Sequence, residues 1–195
     1  MPLSEEAQRV LDRLYAEDQG QRAAGLPSSQ RTRNVEKESG RFLHLLVLSM
    51  RAKTVFEIGS SNGVSTIWLA SALAQTGGFM LGTEILPDRA AAADQNLADA
   101  NLSQCARVMP VDARDLLKTF AGDVDFVFID AEKDDYSDHF LSVIDKVRAG
   151  GVIVADNVIS HDCSAYQAML RTRIDVETLT LPLERGLEFT VKKWD

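Results

Sequence analysis

The chain has 195 residues, 45% hydrophobic and 26% charged, with a formal net charge of -8. That length can bury a real core in one domain. The acidic balance speaks against nucleic acid or an anionic membrane as a partner, because both want a basic face. The two cysteines, Cys105 and Cys163, form no CxxC pair or Cys/His cluster, so a structural zinc site is not expected. They suit a reducing cytosol, although one disulfide stays compatible with the sequence. The start "MPLSEEAQRVLDRL" lacks the basic end and apolar core of a signal peptide, and the apolar runs are far too short to span a bilayer. The expectation is a cytoplasmic protein, one domain over residues 1–195 with an N-terminal helical segment over residues 1–50.

Residues 4–17 place Ala7, Val10, Leu11, Leu14 and Tyr15 at helical spacing, with Ser4 as N-cap. "DQGQRAAGLPSSQRTRN" then reads as a loop, and residues 36–50 as a second helix with Phe42, Leu43, Leu46 and Val47 inward. From Lys53 the chain alternates. "TVFEI", "GFMLGTE", "ARVMPV", "VDFVFID" and "GGVIVAD" read as strands, followed by helices over about 64–75, 87–100, 114–120, 136–147 and 165–172. "DVETLTLPL" and "LEFTVKK" close the chain as a strand pair around "ERG". The expected fold is α/β: a Rossmann-like, seven-stranded, mostly parallel sheet with helices on both faces and an antiparallel C-terminal strand.

In such sheets ligands bind at the carboxyl ends of the strands. The first end is "VFEIGSSNGVS", with Gly59 and Gly63 in a strand-to-helix turn that lets backbone approach a ligand. It is neither the G-x-G-x-x-G fingerprint nor a P-loop. A tight turn needing glycine for geometry alone is the competing reading. Glu84 ends the second strand, about 20 residues beyond the glycine loop, where an acid can accept both hydroxyls of a ribose. The alternative is a solvated strand end. Asp112 ends the third strand and can face an adenine. A nucleoside site without a phosphate signature fits S-adenosylmethionine, and Glu57 near the loop suits that ligand's cationic end.

The fourth strand ends at Asp130 and the fifth at Asp156 and Asn157. If the strands are neighbours, two carboxylates and an amide converge. These are hard donors, suited to Mg²⁺, Mn²⁺ or Ca²⁺ with room left for water and substrate. Lys133, three residues past Asp130, is a candidate general base beside such a cation. Separately, Lys133 reads as a loop lysine and Asp156-Asn157 as a capping turn; their joint register favours a site. Asp134, Asp135 and Asp138 read as the solvated start of the next helix.

At these residues the sequence resembles the cation-dependent O-methyltransferases, the catechol and caffeoyl-CoA enzymes among them. "VFEIGSSNGVSTIWLA", "GTEILPD", "DFVFIDAEKDDY" and "GGVIVADNV" are similar to that family's cofactor, ribose-acid, D-A-x-K-x-x-Y and second metal motifs. The resemblance implies metal ligation by Asp130, Asp156 and Asn157, with Lys133 and Asp130 catalytic. It implies cofactor contacts at Val35 (with Asn34), Glu57, Gly59, Ser61, Gly63, Ser65, Glu84, Asp112, Ala113, Arg114, Asp130 and Glu132. The implied activity moves a methyl group from S-adenosylmethionine to a hydroxyl of a small aromatic vicinal diol with Mg²⁺, Mn²⁺ or Ca²⁺, in a homodimer like the bacterial and plant members. The chain departs from the family in a short segment after Asn157 and in Leu179, which stands where the catechol enzyme has an acidic substrate contact.

Other readings remain at this level. One is a metal-independent methyltransferase on the same fold, and another is a non-catalytic S-adenosylmethionine-binding protein. A nicotinamide dehydrogenase is opposed by the missing fingerprint. His161 reads as a surface-loop residue with an acceptor-facing role as the alternative. His44 and His139 read as structural, Trp68 and Phe42 as core, and Tyr136 as packing or hydrogen-bonding near the site.

Overall fold

The computed structural model describes residues 3–27 and 30–194. Two helices, α1 (Glu5–Ala23) and α2 (Lys37–Met50), precede β1 (Thr54–Ile58) and α3 (Val64–Thr76). Then follow β2 (Phe79–Thr83), α4 (Pro87–Asp99), β3 (Ala106–Met109), α5 (Ala113–Thr119) and β4 (Val124–Ile129). The chain continues through α6 (Tyr136–Val143), β5 (Val147–Asp156), α7 (Ser164–Thr172), β6 (Val176–Leu181) and β7 (Leu187–Lys192). The seven strands form one sheet in the order β3-β2-β1-β4-β5-β7-β6. β1 to β5 are parallel, and β7 runs antiparallel to both its neighbours.

The middle strands are apolar on both faces because helices cover both. Along β4, Phe126 and Phe128 enter the core under α1 to α4. Val127 and Ile129 enter the core under α5 to α7. That alternation is the two-residue period of a strand. α3 has no polar face, since every residue from Val64 to Leu73 is buried.

The order reverses direction between β1 and β4. Their following loops therefore part and leave a crevice at the sheet's carboxyl edge. The two loops that carry the glycines and Asp130 face each other across it.

Three boundaries differ from the sequence reading. α1 runs on to Ala23, through residues read as loop, because a largely buried Asp18 pairs with Arg22 one turn later at 2.7 Å. The rest of that loop includes Ser28 and Ser29, which lie outside the described residues. α6 stops at Val143, and a tight turn over Ile144–Lys146 leads into β5. β5 then starts at Val147, before the glycines, because its pairing with β4 shifts register there and Gly150 adopts φ 71°. No helix among the described residues is long and apolar enough to cross a membrane.

Candidate active site

The carboxyl edge of the sheet holds a cavity of about 380 Å³, within the size range of small-molecule sites. Of the residues expected at the site, Gly59, Ser61, Glu84, Asp112, Ala113 and Arg114 line it, as do Asp130, Glu132, Lys133, Asp156 and Asn157. Val35 and Ser65 line a smaller recess beside Gly59.

The glycine loop is held by its backbone. The amides of Gly59 and Ser60 both donate to the carbonyl of Thr83, at 3.0 Å each. Gly59 sits at φ 92°, and a Cβ there would strike the Asp130 carbonyl, so the two loops of the crevice touch at this glycine. The Ser61 amide donates to Glu84 Oε2 at 2.9 Å and the Leu86 amide to Glu84 Oε1 at 2.9 Å. Glu84 thus ties the loop to the start of α4.

Two expected cofactor residues do not reach the cavity wall. Glu57 is wholly buried, and its Oε2 accepts from Ser60 Oγ at 2.6 Å and Thr66 Oγ1 at 2.5 Å. Burial pushes this carboxyl up, and the hydroxyls oppose that shift. Its place on β1, one residue before the strand end, points Oε2 into the base of the loop, while Oε1 is buried without a partner among the described residues. Gly63 caps α3 at φ 90°, and a Cβ there would press on Ala93 of α4. Its need for glycine comes from helix packing.

The wall beyond Glu84 is polar and paired. Asp112 caps α5, accepting from the Arg114 amide at 2.8 Å and from the Arg114 guanidinium at 2.6 Å. The Arg114 side chain holds the Asp112 carboxyl down to about 2. Arg33, just before α2, pairs with Glu132 at 2.8 Å and draws the segment over residues 31–35 across the crevice. Ser61 Oγ donates to the Thr32 carbonyl at 2.8 Å and pins the same segment.

The β4 and β5 ends form the floor. Lys133 Nζ donates to Asp130 Oδ1 at 2.8 Å and to the Tyr136 hydroxyl at 2.5 Å. That hydroxyl also lies 3.2 Å from the Ile129 carbonyl and 3.0 Å from the Asp156 carbonyl, so one buried ring bridges both strand ends. Asp156 Oδ1 accepts from the Asn157 amide at 2.8 Å, and Asn157 is left-handed at φ 63°. Burial, then the charge of Asp130, pushes the Asp156 carboxyl up to about 7; Lys133, the Asn157 amide and Arg185 pull against them. Among the described residues no group of three or more His, Cys, Asp or Glu side chains gathers as for a metal. The set here is two carboxylates and an amide. Two carboxylates that repel each other in a buried place, with hard oxygens only, fit a divalent cation of the Mg²⁺ type.

Sequence reasoning missed part of the wall. Arg33, Arg185, Ile85 and Leu86 line the cavity, and His139 does so while nearly buried. The apolar pair Ile85-Leu86 directly after Glu84, exposed in the fold, was the available signal. His161 is both exposed and at the cavity wall, whereas Leu179 is exposed on β6 and lines nothing here. His44 Nδ1 donates to the Trp68 carbonyl within the core, at 3.0 Å.

A sequence model of a family described as O-methyltransferase matches residues 6–178. The chain belongs to the O-methyltransferase family. It is similar to a catechol O-methyltransferase of Niastella koreensis, 36% identical over 152 residues, which is 76% of this chain and 66% of that protein. A catechol O-methyltransferase of Mycobacterium tuberculosis is 40% identical over 64% of this chain and 57% of its own length. The match thus spans under two thirds of the length of these curated relatives. An O-methyltransferase from Bacillus cereus, solved in complex with SAH, superposes with TM-score 0.81 and 27% identity over 99% of this chain and 93% of its own.

Proposed function

We propose that this O-methyltransferase-family chain, acting as one catalytic domain, methylates one hydroxyl of a small vicinal diol of the catechol type. The observation that carries the reading is the meeting of Asp130, Lys133, Asp156 and Asn157 on one cavity floor, opposite the glycine loop and Glu84. The relatives named catechol O-methyltransferase and the SAH-bound neighbour support the same reaction class.

S-adenosylmethionine, when bound, supplies a sulfonium methyl group and leaves as S-adenosylhomocysteine. A divalent cation, when bound, supplies Lewis acidity that lowers the pKa of the acceptor hydroxyl. The rest falls to the chain. Asp130, Asp156 and Asn157 hold the cation. Glu84 accepts the ribose hydroxyls; each of its oxygens has one amide partner and keeps a lone pair free. Val35, Ser61 and Ser65 close on the amino-acid end, and Asp112 to Arg114 with Glu132 form the adenine wall. Lys133, steered by Asp130 and Tyr136, takes the hydroxyl proton. The cavity walls would orient the acceptor and the cofactor toward each other, and such positioning carries much of the rate of a displacement.

The test is a methyl-transfer screen over vicinal diols, with S-adenosylhomocysteine and the methyl ether both measured, with Mg²⁺ and with chelator. Mono-methylation that needs the cation is expected. Equal turnover in chelator would favour metal-independent transfer. Tight cofactor binding without any turnover would favour a non-catalytic binding protein.

A further inference from the structure

We propose that Arg185 makes this site select diols that carry a carboxylate on the part of the molecule away from the reacting hydroxyls. The inference rests on the diol reading above and names its substrate class. Arg185 lies in the turn between β6 and β7 and lines the cavity beside His161. Its backbone is tied to the segment that follows Asn157. The Ile159 and Ser160 amides donate to the Arg185 carbonyl at 3.0 and 3.1 Å, and the Val158 amide to the Gly186 carbonyl at 3.1 Å. The neighbouring Glu184 accepts from the Ser39 amide at 3.0 Å and its hydroxyl at 2.8 Å, which anchors the turn to α2. Arg185 is therefore held in place at the mouth of the acceptor floor.

Its guanidinium is only partly used. One nitrogen, Nη2, pairs with Glu36 at 3.1 Å, and among the described residues nothing else holds the side chain. The remaining donors form the planar fork that suits a carboxylate. Most other basic side chains on the cavity wall are engaged among the described residues; the exception, Arg31, lies in the segment pinned to the glycine loop through Thr32. Lys133 is engaged by Asp130 and Tyr136, and His161 Nδ1 lies 3.0 Å from Ser160 Oγ. Arg33 and Arg114 serve Glu132 and Asp112 on the adenine side. Arg89 is turned toward the Arg31 carbonyl at the α4 end. The Arg185 side chain is about 40% exposed, open to an arriving acceptor. Arg185 and His161 line the same cavity as Asp130 and Asp156, and the Arg185 charge acts on Asp156, so an acceptor seated on those carboxylates would carry its far substituent toward Arg185.

The overall charge sharpens the test. A chain of net charge -8 attracts cations at long range, so without a local device amines would lead and acids would trail. Arg185 reverses that order.

The experiment compares kcat/KM for 3,4-dihydroxybenzoate, neutral 4-methylcatechol and 2-(3,4-dihydroxyphenyl)ethylamine, in the wild type and in R185Q, with Mg²⁺ present. The acid is expected to lead the neutral diol by about tenfold, the size of a partly exposed charged hydrogen bond, with the amine last. In R185Q the acid-to-neutral ratio is expected to collapse toward one, through KM rather than kcat. Calorimetry of the acid and the neutral diol, on both proteins with Mg²⁺ and S-adenosylhomocysteine, measures the same ratio as binding. If no diol is methylated, the reading of the reaction fails and the calorimetric ratio alone decides Arg185. Equal handling of acid and neutral diol, an amine preference, or a ratio that R185Q leaves intact would overturn the proposal. If R185Q folds poorly, the order of the three diols on the wild type still decides for or against the carboxylate preference.

Discussion

The crevice has two halves built on opposite principles. The half formed by β1, β2 and β3 has its cavity-facing carboxylates satisfied, although Glu57 Oε1 and the Asn62 side-chain amide are buried there without partners among the described residues. Each Glu84 oxygen accepts from one amide, the glycine loop hangs on the Thr83 carbonyl, and Asp112 is matched by Arg114. The half formed by β4 and β5 instead leaves like charges near each other: two carboxylates, one of them buried and pushed up to about 7, with a single lysine between the loops. Under the proposed function, the first half is the cofactor wall and gains from rigidity, since a pre-ordered site loses little entropy on binding. The second would be the cation floor, which keeps like charge in waiting at a cost in stability until a cation binds.

If that contrast holds, the largest effects come from the floor, and activity and stability move in opposite directions there. Asp156→Asn is expected to cut methyl transfer by about a thousandfold, because it removes one of only two anionic donors. The same change relieves a buried like-charge pair. Measured in chelator, its melting temperature is expected to equal or exceed that of the wild type, as when a buried charge is replaced by a neutral isostere. A variant that loses both activity and metal-free stability would break the comparison.

Lys133→Ala comes next. A general base contributes about a hundredfold to ten-thousandfold, so kcat is expected to fall by about that much. Tyr136→Phe tests how Lys133 is held. It leaves the amine one partner instead of two and is expected to cost about tenfold in kcat. A Lys133→Ala enzyme that keeps the wild-type kcat would remove the base assignment.

The halves also differed in how far they could be read from the chain. Each apolar run ends in the residue that faces the crevice, so Gly59, Glu84, Asp130 and Asp156 were legible from where hydrophobicity stops. The seven strands and the antiparallel end followed from the same alternation. Glu57 and Gly63 lie off the main cavity wall, because motif spacing does not say which way a side chain turns. Glu57 lies inside β1 and turns into the loop base, and Gly63 answers to Ala93. Arg33 and Arg185 were invisible because their partners are distant in sequence: Arg33 meets Glu132, and Arg185 meets Glu36. Local pattern carries no information on such pairings. α1 was cut short because Gly20 and a polar run looked like a loop, while one ion pair and packing kept the helix going.

The satisfied half predicts milder losses. Glu84→Ala removes two charged acceptors from the cofactor's side. The KM for S-adenosylmethionine is expected to rise by about tenfold to a hundredfold, with a smaller change in kcat. If kcat fell as far as it does for Lys133→Ala, the two halves would not be separable in function. The comparison would then lose its meaning.

The smallest effect lies at the adenine wall and is read by titration. Arg114 holds the Asp112 carboxyl down to about 2, first through its side-chain hydrogen bond. A carboxyl whose folded pKa lies below its unfolded value, near 3.9, stabilises the fold above that unfolded value. That stability is lost as pH falls from about 4 toward 2. The pair is about a third exposed, so its worth is small and falls with salt. Carboxyl NMR should show Asp112 titrating near 2 in the wild type and close to the ordinary value in Arg114→Gln. The Arg114→Gln protein should also show a shallower loss of stability between pH 4 and 2. If its Asp112 still titrated near 2, the Arg114 amide bond and the helix end would be holding the charge, and the cap rather than the ion pair would define this wall.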